Sequence, residues 1–134
     1  ELYLIKAEAL NEYYESPNQD VYDAINEVRS RVEMPDLPIV SEDNTKIGMR
    51  KRIRNERRVE LFFEGHRFWD VRRWKEGDKH FKNIVEMKIT KNGDDTYTYE
   101  RKVKERSWDD KMYFFPIPQS EKSKNPNLEQ NPGW

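Results

Sequence analysis

The chain has 134 residues, enough for about one domain with a modest core. Its 25 Lys and Arg against 26 Asp and Glu leave a net charge of −1, which excludes a bulk electrostatic pull toward nucleic acid or anionic lipid. With no cysteine, disulfides, zinc–thiolate sites and thiol catalysis are excluded; 13% aromatic residues argue against disorder despite 38% charged ones.

Residues 1–14, ELYLIKAEALNEYY, have helical periodicity with two apolar stripes: Leu2, Ile5, Ala9 and Tyr13 on one, Tyr3, Ala7, Leu10 and Tyr14 on the other. Two stripes imply packing on two sides. Glu1 already lies inside this pattern without a Met or a cap ahead of it, so the chain reads as a piece of a longer protein. Ser16-Pro17-Asn18 breaks the helix, and Asp20 is placed to cap a second one from Val21 to about Val32. Val21, Ala24, Ile25, Val28 and Val32 form its single stripe, so residues 1–32 read as a helical hairpin of the kind stacked in helical-repeat proteins, without a second copy.

After the stiff Pro35–Pro38 connector, Ser41 or Asn44 opens a third helix running to Gly65, and a short fourth covers about His66–Lys75. Ile84–Ile89 and Tyr97–Val103 alternate around Asn92-Gly93, which predicts a β-hairpin over 84–103. Residues 112–134 form the C-terminal tail, ending in the Pro- and Asn-rich NPNLEQNPGW. The expected fold class is mainly α: a helical hairpin (1–32), two signature helices (41–75), one small β-hairpin and a long irregular tail.

The stretch from Arg54 to Trp74 places six arginines, three glutamates and an aspartate among Phe62, Phe63, Phe68, Trp69 and Trp74. On a helical wheel Glu56, Glu60 and Glu64 continue the face begun by Met49 and Ile53. Carboxylates on a core-facing stripe are tolerable only where cations meet them. The expected reading is therefore a structural ion-pair network of Glu56, Arg57, Glu60, Glu64, Arg67, Asp70 and Arg73, with Arg72 a further donor. Paired carboxylates for glycosidic chemistry are the rival, and they would require two acids about 5–10 Å apart without arginine partners. Arg50–Arg58 alone resembles a basic helix, but Glu56 interrupts it and an apolar run follows, so no nucleic acid is expected. Asp94-Asp95 and Asp109-Asp110 lack calcium-loop spacing, and no metal or cofactor is expected.

Taken together, ERRVELFFEGHRFWDVRRW (56–74), YLIKAEALN (3–11), AINEVRSRVEMP (24–35) and FPIPQSEKSKNPNLEQNPGW (115–134) resemble, in order and spacing, the C-terminal segment of the SusD/RagB family. Departures are Val32-Glu33-Met34 for a small Ala-Gly, Val71 for Leu and Trp134 for a terminal aromatic that is usually Tyr. The resemblance implies a mostly helical, tetratricopeptide-related fold and no enzymatic activity. It further implies a glycan- or nutrient-binding lipoprotein on the cell-surface face of the Bacteroidetes outer membrane, working with a TonB-dependent, SusC-like transporter. The lipid anchor would lie upstream. The signature 56–74 marks the scaffold, and no binding residue is carried over from it. Sugars stack on exposed aromatic rings while polar groups grip their hydroxyls. The aromatics outside the helical core that suit this are Trp108, in a charged loop and the best single platform candidate, and Tyr97 and Tyr99, which share one strand face. The alternative reading is a helical-repeat interaction scaffold without a small ligand.

Overall fold

The structure, a computed structural model, describes residues 1–38 and 44–134. Its elements are α1 (Leu2–Tyr13), α2 (Gln19–Ser30), α3 (Lys46–Glu60), α4 (His66–Arg73), α5 (Gly77–Phe81), β1 (Asn83–Lys91), β2 (Tyr97–Glu105) and α6 (Gln119–Lys124), with a 3-10 turn at Asp110–Tyr113. The fold is mainly α with one antiparallel hairpin. Residues 1–67 form one compact unit and residues 68–134 another.

In the first unit, α1, α2 and α3 share a core of Ala7, Val21, Tyr22, Ala24, Ile25, Leu37, Met49 and Ile53. The stripe of α2 is buried from Val21 to Val28, whereas Val32 lies past the helix end and is exposed. On α1 the buried line is Leu4, Ala7 and Asn11, between the two stripes read from the sequence. Leu2, Ile5 and Tyr13 are exposed. Asn11 is buried because its Nδ2 donates to the Lys46 carbonyl at 3.1 Å, tying α1 to the start of α3.

The helix caps differ from those expected. Asn18, not Asp20, caps α2: it is extended and its side chain accepts from Val21 N at 3.3 Å, leaving Asp20 in the first turn, where its charge suits the helix dipole. For α3 the cap is Thr45, whose Oγ1 accepts from Gly48 N at 3.0 Å. Ser41 lies outside the described residues. α3 stops at Glu60 rather than Gly65, because Phe62 N and Glu64 N turn back to Val59 O and Leu61 O, and Phe63 takes φ +67° ahead of Gly65 at +78°.

Glu12 receives both Arg50 Nε (2.6 Å) and Nη2 (2.7 Å), a bidentate bridge from α1 to α3. The hydrogen bond from Arg50 holds the Glu12 carboxyl below its ordinary 4.5, against the opposing effect of burial, with further help from the charges of Arg50, Lys46 and Arg54. The folded carboxyl therefore binds its proton more weakly than the unfolded one. Its stabilising contribution is complete above about pH 4.5 and is lost as pH falls through the lowered folded value. The group is solvent-screened, so the effect is under about 1 kcal/mol. In a carboxyl NMR titration Arg50→Gln is expected to raise the Glu12 midpoint; an unchanged midpoint would assign the shift elsewhere.

The second unit is held by a string of aromatic rings rather than an aliphatic core. Phe68 of α4 meets Phe81 of α5 at 5.6 Å, Phe81 meets Trp108 at 5.2 Å, and Trp108 meets Tyr113 at 5.2 Å. The Tyr113 hydroxyl accepts from Gly77 N at 3.0 Å, joining the 3-10 turn to the start of α5. α5 breaks the span between α4 and the hairpin, which periodicity had left unassigned. β1 and β2 pair in register from Asn83↔Glu105 to Lys91↔Tyr97, slightly longer than the alternating runs indicated.

The tail is more ordered than its composition implied. α6 occupies part of it, and Gln130 both accepts from Ile117 N (2.8 Å) and donates to Ile117 O (3.0 Å). Asn131 Nδ2 donates to Phe115 O at 2.6 Å. Two amide side chains thus substitute for a missing strand partner.

Candidate functional site

The charged face of α3 is graded rather than uniformly inward. Glu56 is buried, Glu60 is largely covered and Glu64 is exposed. Glu56 Oε1 accepts from Arg29 Nη1 at 3.3 Å, and Glu60 Oε2 from Arg31 Nη2 at 2.7 Å. Both arginines lie at the end of α2, whereas sequence spacing had pointed to Arg57 and the arginines of α4. Their signal was position: Arg29 and Arg31 flank the last turn of the α2 stripe. Arg57 is itself buried on α3. Glu64 lies 3.8 Å from His66 Nε2, and His66 Nδ1 lies 3.6 Å from Glu1.

Within the second unit, Asp70 is buried and accepts from Arg73 Nη2 at 3.0 Å, at a spacing of three. Arg72 is used differently: its guanidinium lies 4.8 Å from the Phe68 ring and 4.5 Å from the Phe115 ring, a cation–π clip. Arg67 falls at the boundary between the units. A cavity of about 280 Å³ opens in the first unit beside Glu60 and Glu64, with Tyr3, Glu27 and Arg31 on its wall. Of the two acids at this cavity, Glu60 is paired with Arg31 and Glu64 lies beside His66.

The sugar-contact candidates fall in two settings. Tyr97 and Tyr99 stand on one face of β2, 53% and 64% exposed. In this register they lie across from Lys91 and Ile89, and Met87, Val85 and Val103 continue the same face, all exposed. The opposite face alternates charge, with Glu86, Lys88, Glu100 and Lys102. Trp108 is only half-buried, but one side of its indole lies directly on Gly77, between Phe81 and Tyr113, and its Nε1 is buried with no acceptor among the described residues. The two tyrosine rings present an open surface, whereas Trp108 is partly covered by Gly77, Phe81 and Tyr113.

Three of the four paired acids are engaged locally. Asp94 Oδ1 accepts from both Thr96 N (3.2 Å) and Thr96 Oγ1 (2.6 Å), bonds that hold its carboxyl below the ordinary value of 3.8. Asp95 pairs with Lys91 at 2.6 Å, and Asp109 Oδ1 caps the 3-10 turn through Lys111 N at 3.0 Å.

The model of the SusD family matches residues 1–134. The chain belongs to the SusD family. It is similar in structure to a SusD-like protein from Bacteroides fragilis NCTC 9343, known from a crystal structure, with 34% sequence identity and a TM-score of 0.77. That match covers 99% of this chain and 24% of the other, so the chain spans about a quarter of that protein's length. No curated protein matches it. In this SusD-family chain the signature 56–74 runs from the last turn of α3, through the Phe63–Gly65 turn, to the end of α4. Its acids sit among arginines, while Phe62, Phe63, Phe68 and Trp69 are exposed.

Proposed function

We infer that this chain is the C-terminal segment of a glycan- or nutrient-binding protein of an outer-membrane uptake system, and that within it the segment is chiefly scaffold. The full-length protein is held by an upstream lipid anchor on the cell-surface face and acts with a TonB-dependent, SusC-like transporter. It binds and hands over its ligand without an enzymatic step. The observation that carries this reading is the SusD-family match over residues 1–134, supported by a 34% identical SusD-like neighbour of the same fold. No helix among the described residues is long and apolar enough to cross a membrane.

Tyr97 and Tyr99 are the platform residues of this reading, with Trp108 contributing its open edge. Isothermal titration of the full-length protein with a panel of neutral oligosaccharides tests it. Tyr99→Ala is expected to weaken binding about tenfold, equivalent to about 1.4 kcal/mol. Trp108→Phe, which preserves the aromatic packing, is expected to change affinity less. Absence of binding across the panel, together with no association with a barrel transporter in detergent-solubilised outer membranes, would sink the reading.

One observation favours a second reading. The exposed Leu2, Ile5 and Tyr13 on α1 suit a helical-repeat scaffold whose partner is protein rather than sugar. Binding of a protein partner without any glycan affinity would select it.

A further inference from the structure

A second cavity, of about 420 Å³, lies in the unit of residues 68–134 and takes in none of Tyr97, Tyr99 or Trp108. Its volume is within the range of small-ligand sites. Lys75, Asp110, Tyr113, Phe114, Pro132 and Gly133 line it.

Three unconnected stretches are held in place to form its walls. At the end of α4, Lys75 N donates to Arg72 O (3.1 Å) and Glu76 N to Val71 O (3.0 Å), closing a left-handed helix stop with Lys75 at φ +54°. Glycine usually occupies that position. A lysine there is conformationally unfavourable, and the consequence is a side chain at the cavity. The chain's end forms another wall: Trp134 Nε1 donates to Lys111 O (3.0 Å) and Phe114 O (3.2 Å). Gly133, at φ +84°, comes so close that a Cβ on it would lie 2.8 Å from Lys111 Cβ. The 3-10 turn supplies the rest.

Among the described residues, two of the polar side chains lining this cavity are without a partner. Asp110 has no hydrogen bond or ion pair among the described residues, and neither does the Lys75 ammonium. Phe114 is 52% exposed. Asp109 is engaged by Lys111 N, and the Lys111 ammonium lies 4.8 Å over the Trp134 ring. Two carboxylates and two ammoniums border the space, so its field selects neither anion nor cation. It offers instead a hydroxyl acceptor, a hydroxyl donor and an apolar ring face, the combination that recognises a neutral, hydroxyl-rich ring.

We propose that this cavity is a saccharide subsite separate from the Tyr97–Tyr99 surface. Phe114 stacks on the C–H face of one neutral sugar ring, Asp110 accepts from its hydroxyls and Lys75 donates to its oxygens. This rests on the glycan-binding reading and adds a second point of contact to it.

The test uses the full-length protein with neutral gluco- and manno-oligosaccharides of both anomeric linkages, followed by titration and by hydrogen–deuterium exchange. The best-binding sugar is expected to slow exchange over residues 109–114 and 132–134. Phe114→Ala and Asp110→Asn are each expected to lower affinity at least fivefold and to abolish that protection. Asp110→Asn and Lys75→Met change exposed side chains, so the test stands even where Phe114→Ala perturbs folding. Undiminished affinity in these variants, with protection confined to β2, would overturn the subsite and leave the glycan reading intact. No binding by the unmodified protein to any sugar of the panel would overturn both.

Discussion

Gly77→Ala is expected to destabilise the protein by about 3 kcal/mol, at the upper end of what overpacking costs. A Cβ at this buried position would overlap Cζ2 and Cε2 of the Trp108 ring and lie 2.6 Å from its Cη2, far inside van der Waals contact. The ring cannot retreat cheaply, because Phe81 and Tyr113 hold it at centroid distances of 5.2 Å each. Nor can the backbone, because Gly77 N donates to the Tyr113 hydroxyl at 3.0 Å. Local hydrogen exchange across α5 and residues 106–114, alongside urea unfolding of the full-length protein, measures the effect. Trp108→Ala removes the obstacle, so Gly77→Ala in that background is expected to add less than about 0.5 kcal/mol, a strong non-additivity. A Gly77→Ala protein as stable as the unmodified one would mean that Trp108 does not rest where the structure places it.

Arg29→Met is expected to cost about 3–5 kcal/mol, because it strands the buried Glu56 carboxylate. The Arg29 Nε bond to Pro35 O at 2.9 Å is lost as well, which loosens the connector after α2. Removing both charges in Arg29→Met/Glu56→Met is expected to recover most of the loss, since apolar residues of similar volume replace buried ion pairs at little cost. Arg31→Met is the control. Its pair with Glu60 is shorter, at 2.7 Å, but Arg31 is exposed, and the expected loss is below about 1 kcal/mol. Equal losses for Arg29 and Arg31 in thermal unfolding would show that burial does not govern this network.

The positions of the helices and the hairpin were legible because each has a periodic signal: the α2 stripe at Val21, Ala24, Ile25 and Val28, and the Asn92-Gly93 turn between alternating strands. What a wheel cannot supply is the partner across space. It turned Glu56 and Glu60 inward, yet their arginines come from α2, some 27 to 29 residues away in sequence. Left-handed positions were equally hidden. Glu33 (φ +56°) occupies the helix stop where the family resemblance has glycine, and Lys75 (φ +54°) does the same after α4. Neither residue type announces that conformation. The tail misled by composition: Pro and Asn usually mark irregular chain, but the amide side chains of Gln130 and Asn131 provided the missing hydrogen bonds. The cavity beside Phe114 was invisible for the same reason, since its three walls are far apart in sequence.

The hairpin has a consequence for how this protein can change over time. Among residues 83–105 none is buried and only Ile84 and Asn92 are half-buried, so most replacements there leave the packed interior untouched. The pairing needs only β-compatible residues and an intact turn. Sequence drift along this ribbon is therefore nearly free of folding penalty, unlike drift in α2 or around Gly77. The faces of β1 and β2 can change while the packed helices keep their sequence, and relatives should diverge most at this ribbon.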